Sequence, residues 1–200
     1  MRQVIFYLLV CIIHHGATLL SVETYSYKIE FKDEDILSKC KNYPKNFLDK
    51  IADIKDLKFI RMNNDTIHVK GKAKMTAELP KNTPIKVYGQ IYKKSRGQWV
   101  NTIYNFARPD LCTALFTPGE YWSKMVQQLS IKRRQCPFPK NYSLNFDLFT
   151  DLIANDIVDK NGSGEYKLNA NFGYGTKEDE FICVNIIFYA TRFDNTRLKV

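Results

Sequence analysis

The stretch TIHVKGKAKMTAEL, residues 66–79, restricts the fold more than any other part of the 200-residue chain. Its apolar or small residues fall on every second position: Ile67, Val69, Gly71, Ala73, Met75, Ala77 and Leu79. His68, Lys70, Lys72, Lys74 and Thr76 occupy the alternate positions. A period of two places one set on a core and the other in water, which is a half-buried antiparallel strand and not a helix. The same period recurs in YSYKIEF (25–31), IKVYGQIY (85–92), QWVNTIYNF (98–106), NYSLNFDLF (141–149), EYKLNANF (165–172) and FICVNIIFYATRF (181–193). LKFIRM (57–62) precedes the first strand across an NND turn, and KKSRG (93–97) forms the basic tip of a second hairpin. About eight such strands predict an all-β, mainly antiparallel sandwich or barrel.

Helix is sparse in this pattern. PGEYWSKMVQQLSI (118–131) spaces Trp122, Met125, Val126 and Leu129 as a helix does, and PKNFLDKIADI (44–54) does so more weakly with Phe47, Ile51 and Ile54. No repeat or linker divides the chain, so residues 22–200 are read as one domain.

Residues 1–21 read as a signal peptide: one Arg, then an apolar run from Val4 to Ile13, with cleavage expected between 17 and 24. The mature chain is then expected to be secreted and extracellular. It would keep four cysteines, Cys40, Cys112, Cys136 and Cys183, an even number suited to two disulfides in an oxidising compartment. Three pairings are open. Cys112 and Cys136 bracket the best helix candidate, and a bridge there would pin both ends of that excursion. Three N-glycosylation sequons begin at Asn64, Asn141 and Asn161.

Little here suggests catalysis. His68 is the one histidine beyond the leader, no cysteine pair has zinc spacing, and there is no nucleophile elbow or phosphate loop. Asp110, Glu120 and Asp147 are the carboxylates for an acid–base reading, which ranks below the alternatives. The expectation is a non-enzyme without metal or cofactor. A formal charge of +9 favours acidic partners such as anionic lipid, sulphated glycan or acidic protein, and the leader argues against nucleic acid. The loops KKSRG and KRRQ (132–135) carry the densest positive charge, and Arg133-Arg134 has the form of a processing site.

Several motifs taken together resemble a known family. They are the early lone cysteine, YNFARPDLC (104–112), CPFPKNY (136–142), GEYKL (164–168) and a last strand bearing the final cysteine. The chain resembles the ML lipid-recognition superfamily, nearest its ganglioside-activator branch and, within that, the insect chemosensory B-type proteins. The resemblance covers nearly the whole mature chain. It implies a β-cup with an apolar cavity, no catalytic residues, and the pairs Cys40–Cys183 and Cys112–Cys136. It also implies a lipid or hydrocarbon-like ligand, with a role in pheromone detection and a membrane surface or a chemosensory receptor or channel as further partners. The extra loop cysteines of the ganglioside activator are absent here, so its loading loops and its hydrolase partnership are not carried over.

Strand parity then selects the ligand-binding candidates: Val87, Ile91, Trp99, Ile103, Leu144, Phe146, Ile186 and Phe188 facing a cavity, with Phe116 and Trp122 near its mouth. The rival reading keeps the core filled and makes the protein a disulfide-stapled modulator of a receptor or channel.

Overall fold

A computed structural model describes residues 23–31, 36–63, 66–81, 83–120, 122–132, 136–151, 153–175, 177 and 180–193. The expected leader with its cleavage site, Asn64, most of the NND turn and Arg133-Arg134 lie outside the described residues.

The described residues form two antiparallel sheets, as the period-two pattern predicts. Sheet A takes β1 (Tyr25–Phe31), β2 (Leu37–Lys39), β6 (Lys86–Ser95), β7 (Gln98–Arg108), β9 (Ile153–Ile157), β10 (Gly164–Gly173) and β11 (Phe181–Phe193). Its order is β7-β6-β10-β11-β1-β9, with β2 also paired to β11. Sheet B takes β3 (Ala52–Asp53), β4 (Lys58–Asn63), β5 (Thr66–Met75) and β8 (Ser143–Asp151). In it β5 is central, with β8 along one side and β3 and β4 also paired to it.

Local chemistry explains the joints. The β6–β7 hairpin turns on Arg96 and Gly97, both with positive φ (48° and 80°). Two consecutive residues of that kind make the mirror-image turn that matches strand twist, and glycine adopts it without steric cost. Further along the hairpin the register shifts between Gln90 and Tyr92, so that Thr102, Ile103 and Tyr104 stand against Ile91 alone. The Gln90 side-chain amide fills this bulge by donating to the carbonyls of Ile91, Thr102 and Tyr104 at 2.9, 3.1 and 3.3 Å.

The helical expectations are met in part. The excursion between β7 and β8 holds two short helices, α1 (Leu111–Leu115) and α2 (Ser123–Gln128). Asp110 caps α1: its carboxylate accepts from the Cys112 N–H at 3.1 Å and from the Thr113 hydroxyl at 2.6 Å. The weaker stretch at 44–54 is instead a 3₁₀ turn at Leu48–Lys50 followed by β3. The Ile51 carbonyl accepts from the N–H groups of Thr76 and Ala77 at 2.8 and 3.3 Å, and these bonds to the end of β5 replace a helical ladder.

Both disulfides follow the pairing the resemblance implies, with Cα separations of 5.8 Å for Cys40–Cys183 and 5.5 Å for Cys112–Cys136. The first ties the segment after β2 to β11. The second closes the ends of the helical excursion.

Candidate functional site

Cross-strand partners share a face, so the ladders and the burial pattern together define which side chains point between the sheets. On sheet A these are Val87, Gly89 and Ile91 of β6, the even residues Tyr166–Phe172 of β10 and Ile182–Ala190 of β11. On sheet B they are Ile67, Val69, Ala73 and Met75 of β5, with Leu144, Phe146 and Leu148 of β8 opposite.

The two inner faces meet at one end. There Ala52, Met75, Leu79 and Ile85 are buried together, and Phe172, Phe138 and Tyr142 pack against them. Residues of both sheets and of the crossing between β5 and β6 contribute. The second buried cluster, Tyr25, Tyr27, Tyr166 and Ala190, is built on sheet A alone and its neighbouring loop. The Tyr27 hydroxyl donates to the Asp159 carbonyl and accepts from the Gly162 N–H, and the Tyr166 hydroxyl donates to the Gly162 carbonyl at 2.6 Å. Burial, with the negative charge of Asp159 and the neighbouring Tyr27 adding to it, pushes the Tyr166 phenol up to about 12. Tyr104 is raised as well, chiefly by burial, and its hydroxyl is sealed without a hydrogen-bond partner.

Between these clusters the inner faces are apolar but incompletely covered. Val87, Ala170, Ile182, Val184, Ile67 and Leu148 are buried. Leu168 and Ile186 of sheet A, and Val69, Leu144 and Phe146 of sheet B, keep contact with solvent, as do Ile91 and Phe188 at the edge of the second cluster, against which both pack. Large side chains that face a second sheet without being sealed by it make the wall of a cup more readily than a finished core.

The helical excursion borders this space and touches both sheets. At sheet A, Arg108 donates to Glu120 through two nitrogens, at 2.7 and 2.9 Å, and holds that carboxyl below the usual carboxylate range. Phe106 meets Trp122 edge-on at 6.3 Å, and the Trp122 indole donates to the Ala114 carbonyl at 2.9 Å. At sheet B, α2 lies against β8.

The ten ligand-binding candidates divide accordingly. Val87, Ile91, Leu144, Phe146, Ile186 and Phe188 point inward, although Val87 is sealed. Phe116, just after α1, and Trp122, just before α2, are half-buried at the border. Trp99 and Ile103 are corrections. Trp99 pairs with Lys94 and Asn101 with Tyr92, all on the outer face, and Ile103 follows them with 78% exposure. Trp99 serves a different purpose, with the Lys167 ammonium 4.9 Å above its ring and 4.7 Å above that of Tyr92. Burial holds the Lys167 ammonium below the usual lysine range. Parity missed the inward set on β7, Thr102, Tyr104 and Phe106, and the ring of Phe106 lies over Gly89.

The three carboxylates considered for acid–base work are engaged separately. Asp110 caps α1, Glu120 binds Arg108, and Asp147 lies 2.6 Å from His68 Nε2 on the outer face of sheet B. Among the described residues no group of three or more His, Cys, Asp or Glu is placed to hold a metal ion. No helix among them is long and apolar enough to cross a membrane.

No family model matches the sequence, and no curated protein matches it. A solved structure of chicken MD-1 complexed with lipid IVa aligns with 87% of this chain and 100% of that one, at 14% sequence identity and a TM-score of 0.31.

Proposed function

We propose that the protein is a secreted, non-enzymatic carrier of a lipid or hydrocarbon-like small molecule held between its two sheets. The observation that carries this reading is the half-covered apolar lining formed by Ile91, Ile186 and Phe188 on one side and Leu144 and Phe146 on the other. Phe116 and Trp122 border the way in. A ligand covering those side chains gains about 25 cal/mol for each Å² of apolar area removed from water, less the cost of ordering it. Two disulfides suit an oxidising compartment, and Asn141 and Asn161, both exposed, are the glycosylation positions within the described residues. A place in insect chemosensory detection rests on the family resemblance alone.

The modulator reading draws on the outer face of sheet A, where Tyr88, Ile103 and Tyr189 are exposed beside the Trp99–Lys167 stack. Such a face suits contact with a receptor or channel.

The test is to purify the secreted protein and identify co-extracted lipid by mass spectrometry, then to measure uptake of a fluorescent fatty acid. Phe146→Trp and Ile186→Trp should each suppress uptake at little cost in stability. If no lipid is carried, and each variant costs the roughly 1–3 kcal/mol of an overfilled core, the interior is closed and the modulator reading stands.

A further inference from the structure

The outer face of sheet B carries an unusual arrangement. Lys70, Lys72 and Lys74 line its central strand on alternate, exposed positions, and Lys58 on β4 stands directly across from Lys70. Like charges facing each other across a ladder destabilise the pairing. Two carboxylates on this face offset part of the charge of these four lysines and leave it positive. Asp147, opposite Lys70 on β8, is bonded to His68, and Asp53, opposite Lys74 on β3, accepts from the Lys55 N–H at 3.2 Å.

One row nearer the end away from the Ala52–Met75 cluster, the chemistry changes. Ile60, His68 and Phe149 form a line across the three strands, with Phe149 stacked on the His68 ring at 4.3 Å. Ile60 and Phe149 are 40% and 52% exposed, and Met62, next along β4, is 51% exposed.

We infer that this face docks the protein on an anionic lipid bilayer, the lysines meeting headgroup phosphates and carboxylates while Ile60, Phe149 and Met62 enter the boundary with the acyl chains. The inference builds on the carrier reading for its purpose, since docking would bring the less tightly closed end of the sheets to the surface that supplies the ligand. A polyanion alone would use the lysines and leave the apolar row in water. The combination of a basic row and an apolar row is what an anionic interface satisfies on both counts.

The test is co-sedimentation of the full chain with phosphatidylcholine vesicles, with and without phosphatidylserine. Binding should require the anionic lipid and weaken as salt rises. The triple variant Lys70→Gln, Lys72→Gln, Lys74→Gln should lose on the order of a hundredfold in partitioning, taking roughly a factor of five for each lysine near the surface. It should fold as the parent does, checked by circular dichroism, because relief of the Lys58–Lys70 repulsion offsets the loss of the charges facing Asp147 and Asp53. The double variant Ile60→Ser, Phe149→Ser should lose the part of the binding that survives high salt. Uptake of a fluorescent fatty acid from vesicle-free buffer, measured in parallel, separates the two proposals. Normal uptake with no preference for anionic vesicles overturns the docking face alone. Undiminished binding by the triple variant also overturns it, as does binding to heparin without binding to vesicles, which would assign the face to a sulphated glycan.

Discussion

Gly89 supports Phe106, and that contact sets a quantitative expectation for Gly89→Ala. A Cβ at this position would stand 2.9 Å from Cδ1 of the Phe106 ring, with Cε1 and Cζ nearer still. Carbon atoms rest at about 3.5–4.0 Å, so the ring must withdraw by roughly 1 Å or more. Its withdrawal would disturb the edge-on contact with Trp122, which is itself bonded to the Ala114 carbonyl. Overfilling of this kind costs about 1–3 kcal/mol, and in a domain of this size each kcal/mol lowers Tm by roughly 2–4 °C. Thermal unfolding followed by circular dichroism measures the loss, and the fluorescence of Trp122 reports the displacement at the border of the cup. Phe106→Leu removes the ring that the new methyl would strike, so the double variant should be more stable than the two single effects predict, by about 0.5–3 kcal/mol. A Gly89→Ala protein with unchanged Tm, or a double variant whose losses simply add, would refute the account of how Phe106 and Trp122 are held.

Removing Cys40–Cys183 or Cys112–Cys136 as a Cys→Ser pair should cost about 2–5 kcal/mol each, read by denaturant unfolding. Tyr166 keeps its proton to about pH 12 in the folded state, whereas the unfolded chain releases it near the ordinary tyrosine value of 10.0. Its contribution is therefore complete below pH 10.0 and declines as pH rises through that window, and Tyr166→Phe should flatten this part of an alkaline unfolding profile. Glu120 has the opposite sign: its depressed pKa makes the Arg108 pair stabilising above the usual carboxylate range and lost as pH falls through the folded value. Protection of the amides of residues 111–120, taken relative to their intrinsic exchange rate at each pH, should fall in Glu120→Gln and in acid, with no fall in either counting against a holding role for the pair.

The strands were legible because alternation survives in the sequence wherever one face is buried and the other wet. Lys70, Lys72 and Lys74 could occupy only the outer face of β5, and the structure puts them there. β7 shows where that logic stops. Trp99 and Ile103 alternate with Val100, Tyr104 and Phe106, so both of its faces carry large residues and period alone does not say which is inward. The ladder to β6 decides, through Lys94 and Tyr92. β9 went unread because IANDI follows β8 almost without punctuation, yet it crosses to the other sheet. The isoleucines of the 44–54 stretch join the buried cluster as their spacing suggests, although they do so from the positions just before and just after the two-residue strand β3. Of the proposed lining, the inward parity of β6, β8 and β11 was readable, and that of β7 was not. The partial exposure of Ile186 and Phe146 was not readable either, since it depends on the distance between two sheets that are far apart in the chain.

The bulge opposite Ile91 bears on the protein's fate in concentrated solution. β7 is the outermost strand of sheet A, and from Gln98 to Ala107 it carries no charge and no proline to deter another chain from adding to it. A straight strand of that composition is a template for fibril growth. Here the Gln90 amide turns the carbonyls of Thr102 and Tyr104 inward and leaves the strand bent at its middle, so an incoming strand finds only short, misaligned stretches to pair with. The colloidal behaviour of the molecule therefore depends in part on one side chain of the strand behind its open edge.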